Sequence, residues 1–488
     1  MNRMEKDNEE RIGEKLKIIF SNNLDEYFIF DEINNYDYTF RNFFELILRC
    51  KEKLERLQMQ KKDSICIISE NCVEIIIIYF TCLLLQIKII PLDPMNGKKY
   101  NEDIILRINP KLIIYDKIWS NNLKNIIQIN KLVEKEHNAG IKNLKNKLNI
   151  FEKIDANIPF LITFTSGTTG EPKGVIHNAF KKIFQFGSSN IFYHNLPMTY
   201  MAGILNLIIL PLVSASKIVI VKRFSIIDIN SFWKIPIKYK VNTFWFIPTI
   251  IELLIKLDRN NITINKRENS TTIACVGTAP LNIQSKKEFE EKYNIKLYET
   301  YGLSETLFVT ANYLNKNKDG SVGIPLEGVE LKFLKDSEII ITTPWTSEGY
   351  YNINNEKIIQ KNEFHSGDLG HYIENKNLVI TGRKKDIIIR GGVNISPKKI
   401  EDHLNFLKHF NEIVVIGIKD RIIGEKTVCF FVSEKNILEE KLKQINLKII
   451  KNLGIHHNID EFIRIKTIPK NLNGKIDKKR ILKIYYTK

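Results

Sequence analysis

What is scarce in this 488-residue sequence narrows its chemistry before any motif is read. Cysteine is scarce: the six residues, at 50, 66, 72, 82, 275 and 429, have no C-x-x-C spacing, and most lie inside apolar runs. That pattern argues against a disulfide framework or a zinc ribbon and for buried free thiols in a reducing compartment. Long hydrophobic runs are missing too. The longest apolar stretch, Ile75 to Leu85, falls well short of the roughly 20 residues that span a bilayer. The N-terminal MNRMEKDNEERIGEK is mixed in charge and has no apolar signal core, so a cytoplasmic protein with no membrane span is expected. Acidic residues are outnumbered by basic ones, 56 to 73, for a formal net charge of +17. The lysines are spread along the chain and are not interleaved with aromatics, so a nucleic-acid partner is not expected, although a phosphate-bearing substrate is favoured.

What is present describes a folded enzyme. Charged residues at 26% and hydrophobic ones at 43% are ordinary for a globular chain. The length exceeds one core and suits a large domain with a smaller one. Asp63-Ser-Ile-Cys-Ile-Ile-Ser reads as a strand, Val73 to Leu85 as a buried helix, and Ile89-Ile-Pro-Leu-Asp-Pro as a strand running into a turn. Lys217-Ile-Val-Ile-Val, Thr243-Phe-Trp-Phe-Ile and Ile273-Ala-Cys-Val-Gly continue an α/β pattern, each ending near polar residues or Gly, where open α/β sheets place ligands. After about Gly367 the texture changes. Two strands and a basic Gly-Gly loop lead to Pro397, a helix start, then to strands at Ile413 and Thr427, a Lys-rich amphipathic helix and a basic tail. The expected fold class is α/β: a large N-terminal domain of α/β subdomains (1–384) and a smaller, mobile α+β C-terminal lid domain (385–488).

Phe164-Thr-Ser-Gly-Thr-Thr-Gly-Glu-Pro-Lys-Gly174 carries the most chemistry. Gly167 and Gly170 permit backbone conformations that bring amides onto phosphate oxygens, Thr165, Ser166, Thr168 and Thr169 add hydroxyls, and Lys173 adds a mobile cation. The GK[ST] ending of a Walker loop is absent. Taken alone, such a loop also suits a surface turn. The whole string resembles the phosphate loop of the adenylate-forming (AMP-binding) superfamily, which includes acyl-CoA synthetases, peptide-synthetase adenylation domains and firefly luciferase.

The resemblance recurs in order along the chain, over about residues 60 to 482. Gly277-Thr-Ala-Pro-Leu281 is similar to the family's adenine-side loop, implying nucleotide contacts at Gly277, Ala279 and Pro280. Tyr298-Glu-Thr-Tyr-Gly-Leu-Ser-Glu305 resembles its tyrosine-glycine-x-threonine-glutamate motif, with Ser304 in place of threonine. That match implies nucleotide binding at Glu299, Thr300, Tyr301, Gly302 and Ser304, and a Mg²⁺ ligand at Glu305, a hard oxygen donor. In isolation the same string would suit a helix N-cap at Ser304. Ser366-Gly-Asp-Leu-Gly370 matches the ribose motif, in which Asp368 would accept from both hydroxyls. Thr381-Gly-Arg-Lys-Lys-Asp386, continuing to Pro397, resembles the hinge and thiol-side loop, with Arg383 on the nucleotide, Lys385 at the hinge, and Gly391 and Gly392 facing the thiol. Ile468 to Arg480 resembles the C-terminal loop bearing the catalytic lysine, here Lys475.

The resemblance implies a ligase that uses ATP and Mg²⁺ to convert a small-molecule carboxylic acid to an acyl-adenylate, releasing pyrophosphate, and then to a thioester. Arg390 to Pro397 looks like the acyl-CoA synthetase form and favours CoA as acceptor. Asn473-Gly-Lys-Ile-Asp477 looks more like peptide-synthetase tails, which leaves a phosphopantetheinyl carrier protein acting in trans as the alternative. A phosphate-loop kinase is disfavoured by the missing GK[ST]. A non-catalytic nucleotide-binding relative would be expected to have lost Glu305, Asp368, Arg383 or Lys475. Tyr200, in Leu196-Pro-Met-Thr-Tyr-Met-Ala-Gly203, is a candidate catalytic residue that gates the carboxylate, or a packed core tyrosine. Phe244, Trp245, Phe246 and Pro248 line the acyl pocket or belong to the core.

Overall fold

A computed structural model describes residues 12–117, 125–134, 140–166, 172–178, 190–260, 272–312, 318–351, 359–360, 363–407, 409–434, 436–470 and 475–487. The chain forms two compact units. The first comprises residues 1–314, 326–329 and 342–364, and the second 315–325, 330–341 and 365–488. The boundary expected at 384/385 lies within the second unit, in the turn between the strands Asn377–Arg383 and Ile388–Arg390.

The first unit is built on two sheets. In one, the strands Gly349–Tyr350, Pro172–Asn178, Pro159–Ser166, Lys88–Leu92, Ser64–Ile68, Leu112–Tyr115 and Ile126–Gln128 lie side by side in that order. Its centre is parallel, with Cys66 level with Ile90 on one side and Ile113 on the other. Strands covered on both faces read as continuous β-branched runs, as Ser64–Ile68 does. In the other sheet the order is Leu307–Ala311, Leu297–Leu303, Ile273–Val276, Thr243–Phe246, Ile191–His194, Lys217–Ile220, Tyr27–Asp31 and Tyr36–Thr39.

The helix Val73–Leu85 is apolar on every side, and nearly all of it is buried. A helix of that composition belongs inside a protein. It shares its core with the helix Phe40–Arg56, with Ile65, Ile67 and Ile89 of one sheet, and with Ile218 and Ile220 of the other. Phe40–Arg56 starts at a capping box, in which Thr39 Oγ1 accepts from Asn42 N (3.1 Å) and Asn42 Oδ1 accepts from Thr39 N (3.3 Å). Such a cap contributes about 1 kcal/mol.

In the second unit the strand Glu363–Ile373 pairs antiparallel with Asn377–Arg383 and lies beside Glu338–Thr342. A second sheet follows, in the order Val393–Ile395, Ile388–Arg390, Gly424–Val432 and Glu412–Asp420, with Glu461–Arg464 parallel to Gly424–Val432. One apolar cluster joins this sheet to the helices Pro397–Phe406 and Glu439–Leu453 through Ile400, Leu404, Ile445 and Ile449. Another, with Val414, Ile416 and Phe430, packs Ile481 of the last helix, Lys478–Tyr486. Among the described residues no helix is long and apolar enough to cross a membrane.

Candidate active site

The phosphate-loop string occupies a hairpin. The strands Pro159–Ser166 and Pro172–Asn178 are antiparallel, with Thr165 opposite Lys173 and Ser166 opposite Pro172. Gly167, Thr168, Thr169 and Gly170, at the tip, lie outside the described residues, as does the side chain of Ser166. The feet of the loop are thus fixed by the sheet. From one of them, Lys173 Nζ lies 5.2 Å from the centre of the Tyr350 ring, a cation–π contact. The Tyr350 hydroxyl donates to Glu305 Oε1 at 2.6 Å. Tyr350 is only 7% exposed, and burial together with the neighbouring Glu305 charge holds its phenol well above the usual tyrosine range. One buried ring therefore connects the phosphate-side lysine to the expected metal carboxylate, and it was not singled out from the sequence. The only trace there is the aromatic pair in Glu348-Gly-Tyr-Tyr351.

Glu305 sits in the turn between the strands Leu297–Leu303 and Leu307–Ala311, which form a hairpin rather than a helix start. The chains cross so closely that a Cβ on Gly302 would lie 1.9 Å from the Leu307 carbonyl oxygen. Ser347 N donates to the Glu305 carbonyl at 2.7 Å, which pins the turn from the other side. Behind it lies His177, 2% exposed and near the Ser304 backbone, its imidazole pushed down to about 4 by burial. This histidine also escaped the sequence reading, because it sits among apolar residues of a strand.

The loop expected on the adenine side begins where the strand Ile273–Val276 ends, beside the parallel strand Leu297–Leu303, with Val276 level with Glu299. Both segments thus deliver their next residues to the carboxyl end of the sheet, where open α/β folds bind ligands. A Cβ on Gly277 would be 2.7 Å from Thr300 Oγ1, which itself donates to Val276 O at 3.3 Å. Ala279 is partly exposed and Pro280 exposed, as are Tyr301 (partly) and Gly302. Glu299 differs from them. It is buried, and Lys286 Nζ approaches its Oε1 at 3.5 Å.

Tyr200 is partly buried against the aromatic core that contains Phe192, Phe244 and Phe246, just before the π-helical segment Ala202–Ile209. Phe244 and Phe246 stack with ring centres 5.5 Å apart and both meet Trp233, while Trp245 faces the other way onto Phe308. Pro248 opens the helix Pro248–Leu257.

Within the second unit, Asp368 and Arg383 are cross-strand partners, and Arg383 Nε lies 2.8 Å from Asp368 Oδ1. Asp368 is 3% exposed. Its backbone N–H donates to Ser366 Oγ (3.0 Å), and Ser366 Oγ donates to the Ile339 carbonyl (2.6 Å), which fixes the turn at Gly367. The next two lysines look alike in the sequence and differ in the fold. Lys384 pairs with Asp336 and Glu338, at 2.7 Å each, whereas Lys385 is exposed and its pKa is lowered by partial desolvation and by Arg383. Gly391 and Gly392 form the tight turn between Ile388–Arg390 and Val393–Ile395, both at positive φ, and Gly391 N donates to Ile423 O at 2.7 Å. Lys475 is exposed, on a loop whose feet meet through the Lys470–Ile476 bridge and an Asp477 N to Pro469 O bond of 2.8 Å.

The AMP-binding enzyme family model matches residues 21–351, more than half of the chain. This chain belongs to that family. Curated relatives of this AMP-binding enzyme include a long-chain-fatty-acid–CoA ligase of Bacillus subtilis, 26% identical, the match covering 91% of this chain and 89% of the relative. A 2-succinylbenzoate–CoA ligase of Bacillus pumilus is 23% identical, over 91% and 92% of the two chains. Among solved structures, ATP-bound MatB from Rhodopseudomonas palustris superposes with a TM-score of 0.82 at 19% identity, over 97% and 99%. The o-succinylbenzoate CoA synthetase MenE of Bacillus subtilis, in complex with its acyl-adenylate intermediate, gives 0.79 at 21%, over 96% and 97%. The mixed α/β fold, with a large N-terminal and a smaller C-terminal part, is the one these structures share.

Proposed function

We propose that this AMP-binding enzyme is an AMP-forming acid–CoA ligase acting on a small-molecule carboxylic acid. The single observation that carries this reading is that curated acid–CoA ligases match some nine-tenths of the chain, while Glu305, Asp368, Arg383 and Lys475 all stand at their motif positions. In the first half-reaction a carboxylate oxygen attacks the α-phosphorus of ATP, the bond to the β-phosphate oxygen breaks, and pyrophosphate leaves. In the second the CoA sulfur, having lost its proton, attacks the acyl carbon and AMP departs.

Each motif residue has a task that its surroundings support. The hairpin loop from Thr165 to Lys173 cradles the phosphates, and Lys173 is held at one foot by the Tyr350 ring. Glu305 suits Mg²⁺, which takes one or two carboxylates and completes its shell with phosphate oxygens and water. When bound, the cation screens the phosphate charges that repel the incoming carboxylate. Asp368 accepts from the ribose hydroxyls, and Arg383, paired with it from the adjoining strand, contacts the nucleotide. Lys475 offsets the charge that develops on phosphorus, which lowers the barrier because the interaction strengthens as that charge grows. Lys385 is the hinge that lets the lysine loop serve the first half-reaction and the Gly391–Gly392 turn the second. Tyr200 closes the carboxylate end of the acyl site.

The test is carboxylate-dependent ATP–pyrophosphate exchange over a panel of acids, followed by acceptor assays with CoA and with a phosphopantetheinylated carrier protein. Exchange with some acid and thioester with CoA are expected. ADP in place of AMP, or no exchange with any acid, would overturn the assignment, and thioester on the carrier alone would move the acceptor to a protein in trans.

A further inference from the structure

The lysine loop is anchored in a way its sequence does not reveal. Its feet are joined to each other by the Lys470–Ile476 bridge and the Asp477 N to Pro469 O bond, but those contacts do not fix the loop to the sheet. Two ion pairs do. Lys470 Nζ lies 2.8 Å from Glu412 Oε2, on the strand Glu412–Asp420. Lys478 Nζ, in the first turn of the last helix, lies 2.8 Å from Asp386 Oδ2, one residue after Lys385. Asp477 caps that helix by accepting from Arg480 N at 3.2 Å, so the helix start and the loop end are one rigid piece. The Lys478 ammonium also acts electrostatically on Glu401, a partly buried carboxyl on the helix Pro397–Phe406 that accepts from Val415 N at 2.8 Å. As a like charge it also lowers the pKa of Lys385. The hinge turn, the helix after the thiol-side turn and the lysine loop therefore share one cation, and all of them lie in the second unit.

We propose that Asp386 is a positioning residue for Lys475, acting through Lys478. The inference rests on the reading of Lys475 as the adenylation lysine. Asp386 and Lys478 side chains are 24% and 38% exposed, so their pairing adds little to stability. Its effect is on direction. It aims the last foot of the loop, and small displacements of a reacting group are costly in rate even when the fold is intact.

The experiment uses the full chain, with the two half-reactions assayed separately. Asp386→Asn and Lys478→Met are each expected to lower kcat of adenylation about 5- to 20-fold. The KM for ATP should stay within about twofold, the melting temperature should barely move, and thioester formation from pre-made acyl-adenylate should be spared. The double variant should be no worse than either single one, as for partners in one interaction. Lys478→Arg, which keeps the charge, should recover most of the rate. An unchanged adenylation rate in Asp386→Asn, equal losses in both half-reactions, or additive losses in the double variant would overturn the proposal. Lys475→Ala separates this failure from that of the parent reading. If it leaves adenylation intact, the lysine assignment itself falls. If it slows adenylation while Asp386→Asn does not, only the positioning role falls.

Discussion

Tyr350→Phe removes one oxygen atom from a buried position in the first unit, and its effect can be worked out. The lost hydroxyl donates at 2.6 Å to Glu305 Oε1, and the ring that remains keeps its core packing and its contact with Lys173. A hydrogen bond to an ionised carboxylate contributes about 1.5–3 kcal/mol where water cannot replace it. Tyr350 is 7% exposed, but Glu305 is only partly buried, so water recovers part of the loss on that side. About 1–2 kcal/mol remains, and it falls on the orientation of Glu305 more than on the fold. That corresponds to a roughly 5- to 30-fold lower rate of pyrophosphate exchange, at 1.4 kcal/mol per tenfold. The loss should be greatest at limiting Mg²⁺, since an untethered carboxylate meets the cation in its productive rotamer less often. The assay is exchange measured across a Mg²⁺ titration, with circular dichroism as the control for folding. Exchange within twofold of the parent at every Mg²⁺ concentration would refute the claim that Tyr350 orients Glu305.

Lys475→Ala is expected to slow adenylation by about 10²–10³-fold while thioester formation from pre-made acyl-adenylate is largely retained; single-turnover quench assays of each half give the comparison. Gly302→Ala drives a Cβ to 1.9 Å from the Leu307 carbonyl, a backbone clash that nothing flexible can relieve. The hairpin must open, at a cost of about 4 kcal/mol or more, and the variant should show a lower thermal transition and loss of ATP binding by calorimetry. His177 is held neutral, its pKa depressed from 6.5 to about 4. Between those values the unfolded chain binds the extra proton, so stability is full above about pH 6.5 and falls as the pH drops toward 4, by about 2–4 kcal/mol from this residue. Denaturant midpoints across that range should move less in His177→Gln than in the parent. An identical pH slope in the two proteins would contradict the linkage.

How much of this could be read from the sequence depended on whether the signal was local. Ser64–Ile68 and Val73–Leu85 appear where their apolar runs place them, because burial on both faces leaves a continuous hydrophobic string. The stretch around Gly302 and Ser304 carried an ambiguous signal, a helix-cap pattern that turned out to be a β-hairpin, because its geometry is set by a backbone crossing with Leu307. Asp368 and Arg383 were found as separate motif members. That they face each other across two strands was not readable, since cross-strand register depends on the turn between them. Tyr350, His177 and the Asp386–Lys478 pair left almost no trace, because each works through a neighbour remote in the chain. The adjacent pair Lys384 and Lys385 makes the same point. Only the carboxylates Asp336 and Glu338 tell the two lysines apart.

The division of the chain into units has a bearing on how such an enzyme can be recombined. The polypeptide passes between the units at 314/315, 325/326, 329/330, 341/342 and 364/365 before it stays in the second. No single cut upstream of His365 therefore yields two self-contained pieces, and a crossover there would mix strands within a unit. Downstream the choice of junction has its own logic. A splice between Arg383 and Asp386 leaves the Asp368–Arg383 pair with the recipient and moves Asp386, the loop of Lys475 and the last helix together from the donor. A splice one residue beyond Asp386 would part it from its own Lys478 and leave a chimera to rely on whatever residue the other parent has there.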